Sequence, residues 1–140
     1  MASKTVTLVI GAALWAVLSG ASSAQPPQRG GLASLEPGEW ELLERGRSPS
    51  SRRLCISEGS QLLQPQHPHR QCERYVIRQS PREVAASYDC GEGGRGRTDV
   101  RIETSRLVQI SSQGVSEGLP FSLAMEGRRI GACRSAALAR

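Results

Sequence analysis

The chain carries four cysteines, and their number and spacing limit its architecture more than any other property of the sequence. In a small exported chain, an even cysteine count indicates two disulfides. A zinc site is the competing interpretation, but it requires closely spaced cysteines, and the sequence has no Cys-x-x-Cys motif. We therefore expect two disulfide bonds among Cys55, Cys72, Cys90 and Cys133.

Export is predicted by the first 24 residues. Lys4 gives a positive start, an uncharged apolar run covers residues 6–18, and small residues up to Ala24 form a pattern that signal peptidase cleaves. The apolar run is short of the roughly 20 residues that span a bilayer. We expect cleavage after Ala24, which leaves a periplasmic or secreted protein that is not an integral membrane protein.

The remaining chain is predicted to form one domain. Residues 25–35 contain prolines and glycines without a sustained pattern, which indicates a flexible leader. We assign residues 36–133 to a single β-rich domain and residues 134–140 to a C-terminal tail. A domain of this size buries only about two-thirds of its unfolded surface, so we expect the disulfides to contribute much of its stability.

The charge pattern argues against binding to nucleic acid. Removal of Lys4, the only lysine, lowers the formal net charge from +5 to +4. The arginines are scattered along the chain and interleaved with acidic residues, whereas nucleic-acid binding needs a basic patch or stripe. We expect no nucleic-acid partner.

Two hairpins are predicted by apolar alternation. If the chain turns back at Ser105, Val100 lies opposite Ile110 and Ile102 lies opposite Val108. If it turns back at Pro81, Val76 lies opposite Ala86 and Tyr75 opposite Ser87. The second register also places Glu73 opposite Asp89, which is unfavourable because like charges repel there.

The second hairpin also predicts the disulfide pairing. It brings Cys72 opposite Cys90, at a separation that a disulfide can bridge. Cys55 then pairs with Cys133, which ties the last strand to the second one. Further strands are expected over residues 39–45, over residues 52–56 and from Phe121 into residues 127–133, with a helical turn over residues 57–63 that Ser57 could cap.

These elements predict an all-β fold. We expect a mainly antiparallel sheet of about seven short strands, curved or shaped as a half-barrel, with at most one short helix and two disulfides.

Several landmarks together resemble a known family. They are the signal peptide, the sequence Pro-Gly-Glu-Trp-Glu at residues 37–41, the four cysteines with glycines after the third, and Gly-Arg-Arg-Ile-Gly-Ala-Cys at residues 127–133. The chain resembles the exported proteobacterial family catalogued as domain of unknown function 3617. The resemblance implies a small exported β-rich domain with paired cysteines, and it implies no activity, cofactor or catalytic residue.

Candidate chemistry in the sequence is sparse. His67 and His69 flank Pro68 and could help to bind copper or zinc, but no acidic residue lies close by, and we interpret them as incidental loop residues. Nucleophilic catalysis needs a nucleophile, a base and an orienting group, and the serines show no Gly-x-Ser-x-Gly motif. We expect no enzymatic activity, no cofactor and no metal.

An apolar face remains as the candidate binding surface. Its members share one side of the predicted strands, and they are Trp40, Val100, Ile102, Val108, Ile110, Phe121, Leu123 and Met125. We expect this face to pack against the rest of the sheet. If it stays open, it could hold a hydrophobic small molecule. The predicted function is a non-enzymatic, envelope-associated binding module whose partner is an envelope protein. The alternatives are a carrier or chaperone of a hydrophobic ligand and a hydrolase inhibitor that uses an exposed loop over residues 64–71.

Overall fold

The computed structural model of the protein describes residues 30–46 and 48–134. Within them, seven antiparallel strands form one open sheet, and the only helices are three short 3-10 turns. The all-β fold with two disulfides is confirmed. The strands are β1 (Gly38–Glu44), β2 (Ser50–Ile56), β3 (Glu73–Gln79), β4 (Glu83–Asp89), β5 (Gly94–Thr104), β6 (Leu107–Ser116) and β7 (Leu119–Gly131). The 3-10 turns are η1 (Gly31–Ser34), η2 (Gly59–Leu63) and η3 (Gly91–Gly93).

The predicted signal peptide lies outside the described residues, as do residues 135–140 of the predicted tail. In the described part of the chain, no helix has the length and apolar character needed to cross a membrane.

The strand order explains which parts of the sheet are edges. Strands β3 to β7 follow one another as an antiparallel meander, and β1 then pairs with β7, which gives the order β2-β1-β7-β6-β5-β4-β3. β2 and β3 therefore form the two edges. We call the face that carries Leu42, Val100, Val108 and Ile110 the inner face, and the opposite face the outer face.

The hairpin of β5 and β6 has the predicted register. Val100 pairs with Ile110 and Ile102 pairs with Val108. The strands continue beyond the apolar alternation, because Ser112 and Gly114 keep the same register on the inner face. The two-residue turn Glu117-Gly118 then leads into β7 with φ values of 50° and 80°, the left-handed geometry that tight hairpins favour.

The hairpin of β3 and β4 follows its predicted register only in its first half. Tyr75 pairs with Ser87, Val76 pairs with Ala86, and the flanking Cys72–Cys90 disulfide forms as expected. A bulge after Val76 then shifts the pairing by one residue, so that Arg78 lies opposite Ala85. Bulges of this kind are common on edge strands, where they limit further pairing.

The second disulfide closes the other side of the sheet. Cys55 near the end of β2 bonds to Cys133, two residues after β7, across the intervening strand β1. Trp40 of β1 is buried on the inner face and donates from its indole nitrogen to the Glu36 carbonyl at 3.0 Å. Gly127 makes room for this packing, since a Cβ there would lie 2.8 Å from Val108.

The boundary of the leader differs from the prediction. The sequence predicts a flexible leader to residue 35, but residues 31–34 form η1, and Gly31 donates to the Pro81 carbonyl at 3.0 Å. Leu35 is buried in the core. Burial of this leucine orders the segment although its glycines and local pattern favour a coil.

Candidate functional site

The eight residues of the predicted ligand face lie together on the inner face. Six of them are buried, and the other two, Phe121 and Leu123, are partly buried. All but Phe121 belong to, or pack against, one hydrophobic cluster with leucines from η1 and η2. The side chains that could have lined an open pocket are thus core residues of the domain.

The connection between β2 and β3 covers this face, and we call residues 57–71 the covering segment. Its residues Leu62 and Leu63 join the core, and Pro65 is fully buried. The Gln64 amide, also buried, donates to the carbonyls of His67 and Arg70, both at 2.7 Å. Because these hydrogen bonds satisfy the amide away from water, the covering segment can lie deep against the sheet.

The start of the covering segment is capped differently from the prediction. Glu58, not Ser57, is the N-cap of η2, and Gln61 completes a capping box with it. The Gln61 side-chain oxygen accepts from the backbone nitrogens of Ser57 at 2.7 Å and Glu58 at 3.2 Å. This geometry fixes the point where the chain leaves β2 and turns onto the inner face.

His67 packs beside Gly94 and the rings of Tyr88 and Phe121. Gly96 of β5 and Gly114 of β6 face each other in the ladder, with Tyr88 beside one and Phe121 beside the other. The imidazole packs edge-on against both rings, with centroid separations of 5.6 Å to Tyr88 and 6.1 Å to Phe121. A Cβ at Gly96 would lie 2.7 Å from the Tyr88 hydroxyl, so only glycine fits.

His67 is a core residue, which its sequence context did not indicate. It is 5% exposed. Its Nδ1 lies 3.2 Å from the Tyr88 hydroxyl and its Nε2 lies 3.0 Å from the Ser116 hydroxyl. Burial raises the pKa of Tyr88, so this phenol stays neutral and hydrogen-bonds the ring. His69, by contrast, is exposed.

The contact between His67 and Ser116 has the spacing of a base and a nucleophile. The third member here is the neutral Tyr88 hydroxyl, where a catalytic triad has a carboxylate that stabilises the imidazolium. The ring, which belongs to the covering segment, is buried and hydrogen-bonds with two hydroxyls. This arrangement suits a structural hydrogen-bond network better than proton transfer to a substrate.

Arg52 supports the covering segment from the β2 edge. Its Nη2 donates to the Pro65 carbonyl and lies 3.7 Å from the sulfur of Met125. Desolvation by burial lowers its pKa, and nearby Glu44 opposes that effect. Its buried Nε has no partner among residues 30–46 and 48–134. The arginine thus links the edge strand to the segment that lies across the inner face.

The outer face is polar and contains two shallow hollows. One of about 310 Å³ has the small residues Ser111 and Ala124 at its floor and Arg78 and Asp99 at its rim. The other, of about 640 Å³, lies over the glycine pair and is lined in part by Tyr75 and Arg95. Both hollows form because small residues on the central strands stand between long charged side chains. The second one reaches β3.

Strand β3 is exposed along its whole length. All seven residues are solvent-exposed, and three consecutive apolar ones, Tyr75, Val76 and Ile77, are each more than half exposed. The Tyr75 hydroxyl donates to Glu73 at 2.7 Å, and this hydrogen bond raises the pKa of Tyr75. The sequence predicted the strand, but it could not show that neither face of β3 would be covered.

Searches of known families, curated proteins and solved structures for a relative of this chain gave no match. Within the described ranges, no cluster of three or more histidine, cysteine or acidic residues could hold a metal ion. The two disulfides are compatible with a location outside the cytoplasm.

Proposed function

We propose that the protein is an exported, non-enzymatic binding module that contacts its partner through β3 and the adjoining outer face. Export is supported by the signal-peptide pattern of residues 1–24 and by the two disulfides. The resemblance to the exported family named above supports the same location. The partner in this proposal is a protein of the cell envelope or its surroundings.

One observation carries the proposal: three consecutive apolar residues of the β3 edge strand reach solvent, with Tyr75 on the outer face and Val76 on the other, whereas the apolar inner face of the central strands is covered. Tyr75, Val76 and Ile77 are 58%, 56% and 53% exposed. Exposed apolar patches on the surface of a small domain mark interaction sites. An edge strand also has backbone groups that can pair with another chain.

The inner face supports the carrier hypothesis less well. A hydrophobic ligand would have to displace Leu62, Leu63 and Pro65, which already fill that face. The inhibitor hypothesis requires an exposed loop over residues 64–71, but Gln64, Pro65 and His67 are buried there, and only residues 69–71 are exposed.

Site-specific photo-crosslinking in the native envelope tests the proposal. A photoreactive phenylalanine analogue replaces Tyr75 in one variant and Leu119 in a control. Leu119 is 71% exposed but lies next to the β6–β7 turn, away from the proposed surface. We expect discrete protein adducts from position 75 and none from position 119.

The same experiment can overturn the proposal. Adducts of equal yield at both positions would mean that β3 has no special role, and an absence of adducts at position 75 would remove the proposed surface. Ester, peptide and glycan substrates should also be left intact by the purified protein, and hydrolysis that is lost in a Ser116→Ala variant would contradict its non-enzymatic character.

A further inference from the structure

We infer that the partner at β3 is a second copy of this chain, which adds its own β3 antiparallel to the first and joins two sheets across a twofold axis. This inference rests on the proposed use of β3 as the binding surface. It states which protein binds at β3, and it is argued from charge complementarity along that strand.

Glu73 has an unfavourable position within its own chain. It pairs with Asp89 across the ladder, and the Cys72–Cys90 disulfide next to it fixes that pairing. Directly opposed like charges destabilise a sheet. Among the described residues Glu73 makes no ion pair, and its only side-chain hydrogen bond comes from Tyr75. A cation supplied from outside would relieve this repulsion.

Arg78 is the complementary residue at the other end of the strand. Its guanidinium lies 3.9 Å from Glu83 and 3.7 Å from Asp99, which are long contacts, and its side chain is 59% exposed. Contacts of this length between exposed side chains stabilise little. Arg78 can therefore turn towards an additional carboxylate at low cost.

Antiparallel pairing of two β3 strands centred on Tyr75 brings these charges together. Because the two strands run in opposite directions, Glu73 of each copy then lies near Arg78 of the other copy. The twofold axis makes the contact twice, as in other isologous interfaces. The two Tyr75 side chains meet at the centre, and Val76 comes opposite Arg74.

The bulge in β3 is consistent with a closed pair of chains. It interrupts the regular strand after Val76, so the regular ladder between two copies covers Arg74 to Val76, and Glu73 meets Arg78 of the other copy just beyond each end of that ladder. The opposite edge of the sheet, β2, carries two arginines and no acidic residue, so it lacks the charge pattern that would pair two β3 strands. The pairing thus ends at two chains and does not propagate into a fibre.

Charge-reversal variants of the exported, disulfide-bonded protein test the inference by sedimentation velocity. The concentration series runs from about 1 µM to 1 mM, the range in which small interfaces associate. We expect a monomer–dimer equilibrium in the unmodified protein. Glu73→Arg and Arg78→Glu each create two like-charge contacts and should raise the dissociation constant on the order of tenfold or more. The double variant should restore it to near the original value, and Glu92→Arg, in η3, serves as the control.

A stability measurement separates loss of pairing from loss of folding. Glu73→Arg removes the repulsion from Asp89 within the chain, so it should raise the urea midpoint of the monomer while it weakens the dimer. A monomer throughout the concentration range, a dimer insensitive to either reversal, or a double variant as weak as the singles would overturn the inference. If position 75 cross-links only to other proteins, the proposed function stands and the second copy is excluded. If it gives no adduct, both fail.

Discussion

The two edge strands of the sheet have the same length but differ in how much of each strand is covered. β2 and β3 each contain seven residues, and each lies next to a disulfide. β2 has its inner side partly buried, with Ile56 in the core and Arg52 bonded to the covering segment. β3 has no buried residue.

The difference comes from the route of the chain between the two edges. The covering segment leaves β2, crosses the inner face with Leu62, Pro65 and His67 buried, and reaches Cys72 at the start of β3. It therefore protects the β2 side and the centre but ends where β3 begins. The chain thus packs its covering segment against the β2 side and leaves β3 exposed.

The largest expected change in unfolding free energy comes from removal of a disulfide, and the two disulfides should differ. The Cys55–Cys133 bridge spans 78 residues and the Cys72–Cys90 bridge spans 18. By loop-closure entropy, their removal costs about 4.5 and about 3 kcal/mol respectively. Urea unfolding of the two cysteine-to-serine double variants measures both losses. A greater loss for the Cys72–Cys90 variant would show that the β3 edge, not the β2 edge, holds the fold together.

Truncation of one residue on each side tests the contrast in burial. Leu62→Ala removes a fully buried side chain from the covering segment and should cost about 2–5 kcal/mol of unfolding free energy. Val76→Ala removes an exposed one and should change it by less than about 0.5 kcal/mol in the monomer. Similar losses for the two variants in chemical denaturation would mean that the covering segment does not pack as described.

Removal of the His67 side chain should have an effect of intermediate size on stability. His67→Ala leaves the Tyr88 hydroxyl without its imidazole partner in a buried position, which costs about 1–3 kcal/mol. His69→Ala is the matched control because His69 is exposed and should change little. Equal thermal midpoints for the two variants would contradict a structural role for His67.

The smallest expected changes in stability come from substitution of two glutamates of the outer face, Glu126 and Glu73. Hydrogen bonds from Gln109, Arg128 and Arg45 lower the pKa of Glu126. A lowered folded-state pKa stabilises the protein above the unfolded-state pKa, and that contribution is lost as the pH falls through the folded-state pKa. Glu126→Gln should therefore be less stable than the original at pH 7, with a difference that shrinks towards pH 3.

On the β3 side, Glu73→Gln should change stability in the opposite direction. It removes the repulsion from Asp89, so the variant should be slightly more stable at pH 7. Urea midpoints at the two pH values compare both glutamates. A loss of stability in both variants would contradict the described difference between the two sides of the sheet.

The strands and their registers could be predicted because local alternation determines them. In the observed register, Val100, Ile102, Val108 and Ile110 share one face, and a slip by one residue would move them to the other face of their strand. The pairing of Cys72 with Cys90 followed from the second hairpin in the same way. The bulge in β3 could not be predicted, since nothing in the sequence around Ile77 marks an extra residue.

The covering segment shows where the local sequence pattern does not predict the structure. Its prolines and polar residues are typical of a surface loop, and its burial depends on long-range packing that no short window contains. One signal for close packing at this place was present. In the predicted register of β5 and β6, Gly96 falls opposite Gly114. Two facing glycines inside a sheet indicate that another group approaches closely, and at Gly96 that group is the ring of Tyr88, which hydrogen-bonds with His67.

Hydrogen–deuterium exchange of the native protein, followed by peptide mass spectrometry, tests most directly that the inner face is covered and the β3 edge is open. Peptides that contain residues 61–67 should stay protected at every protein concentration, because Gln61 and His67 donate backbone hydrogen bonds there. The β3 amides that point away from β4 have no partner strand, so they should exchange fast in dilute solution and more slowly as the concentration rises. Fast exchange over residues 61–67, at the rate of these β3 amides, would show that the covering segment leaves the sheet and would contradict the account.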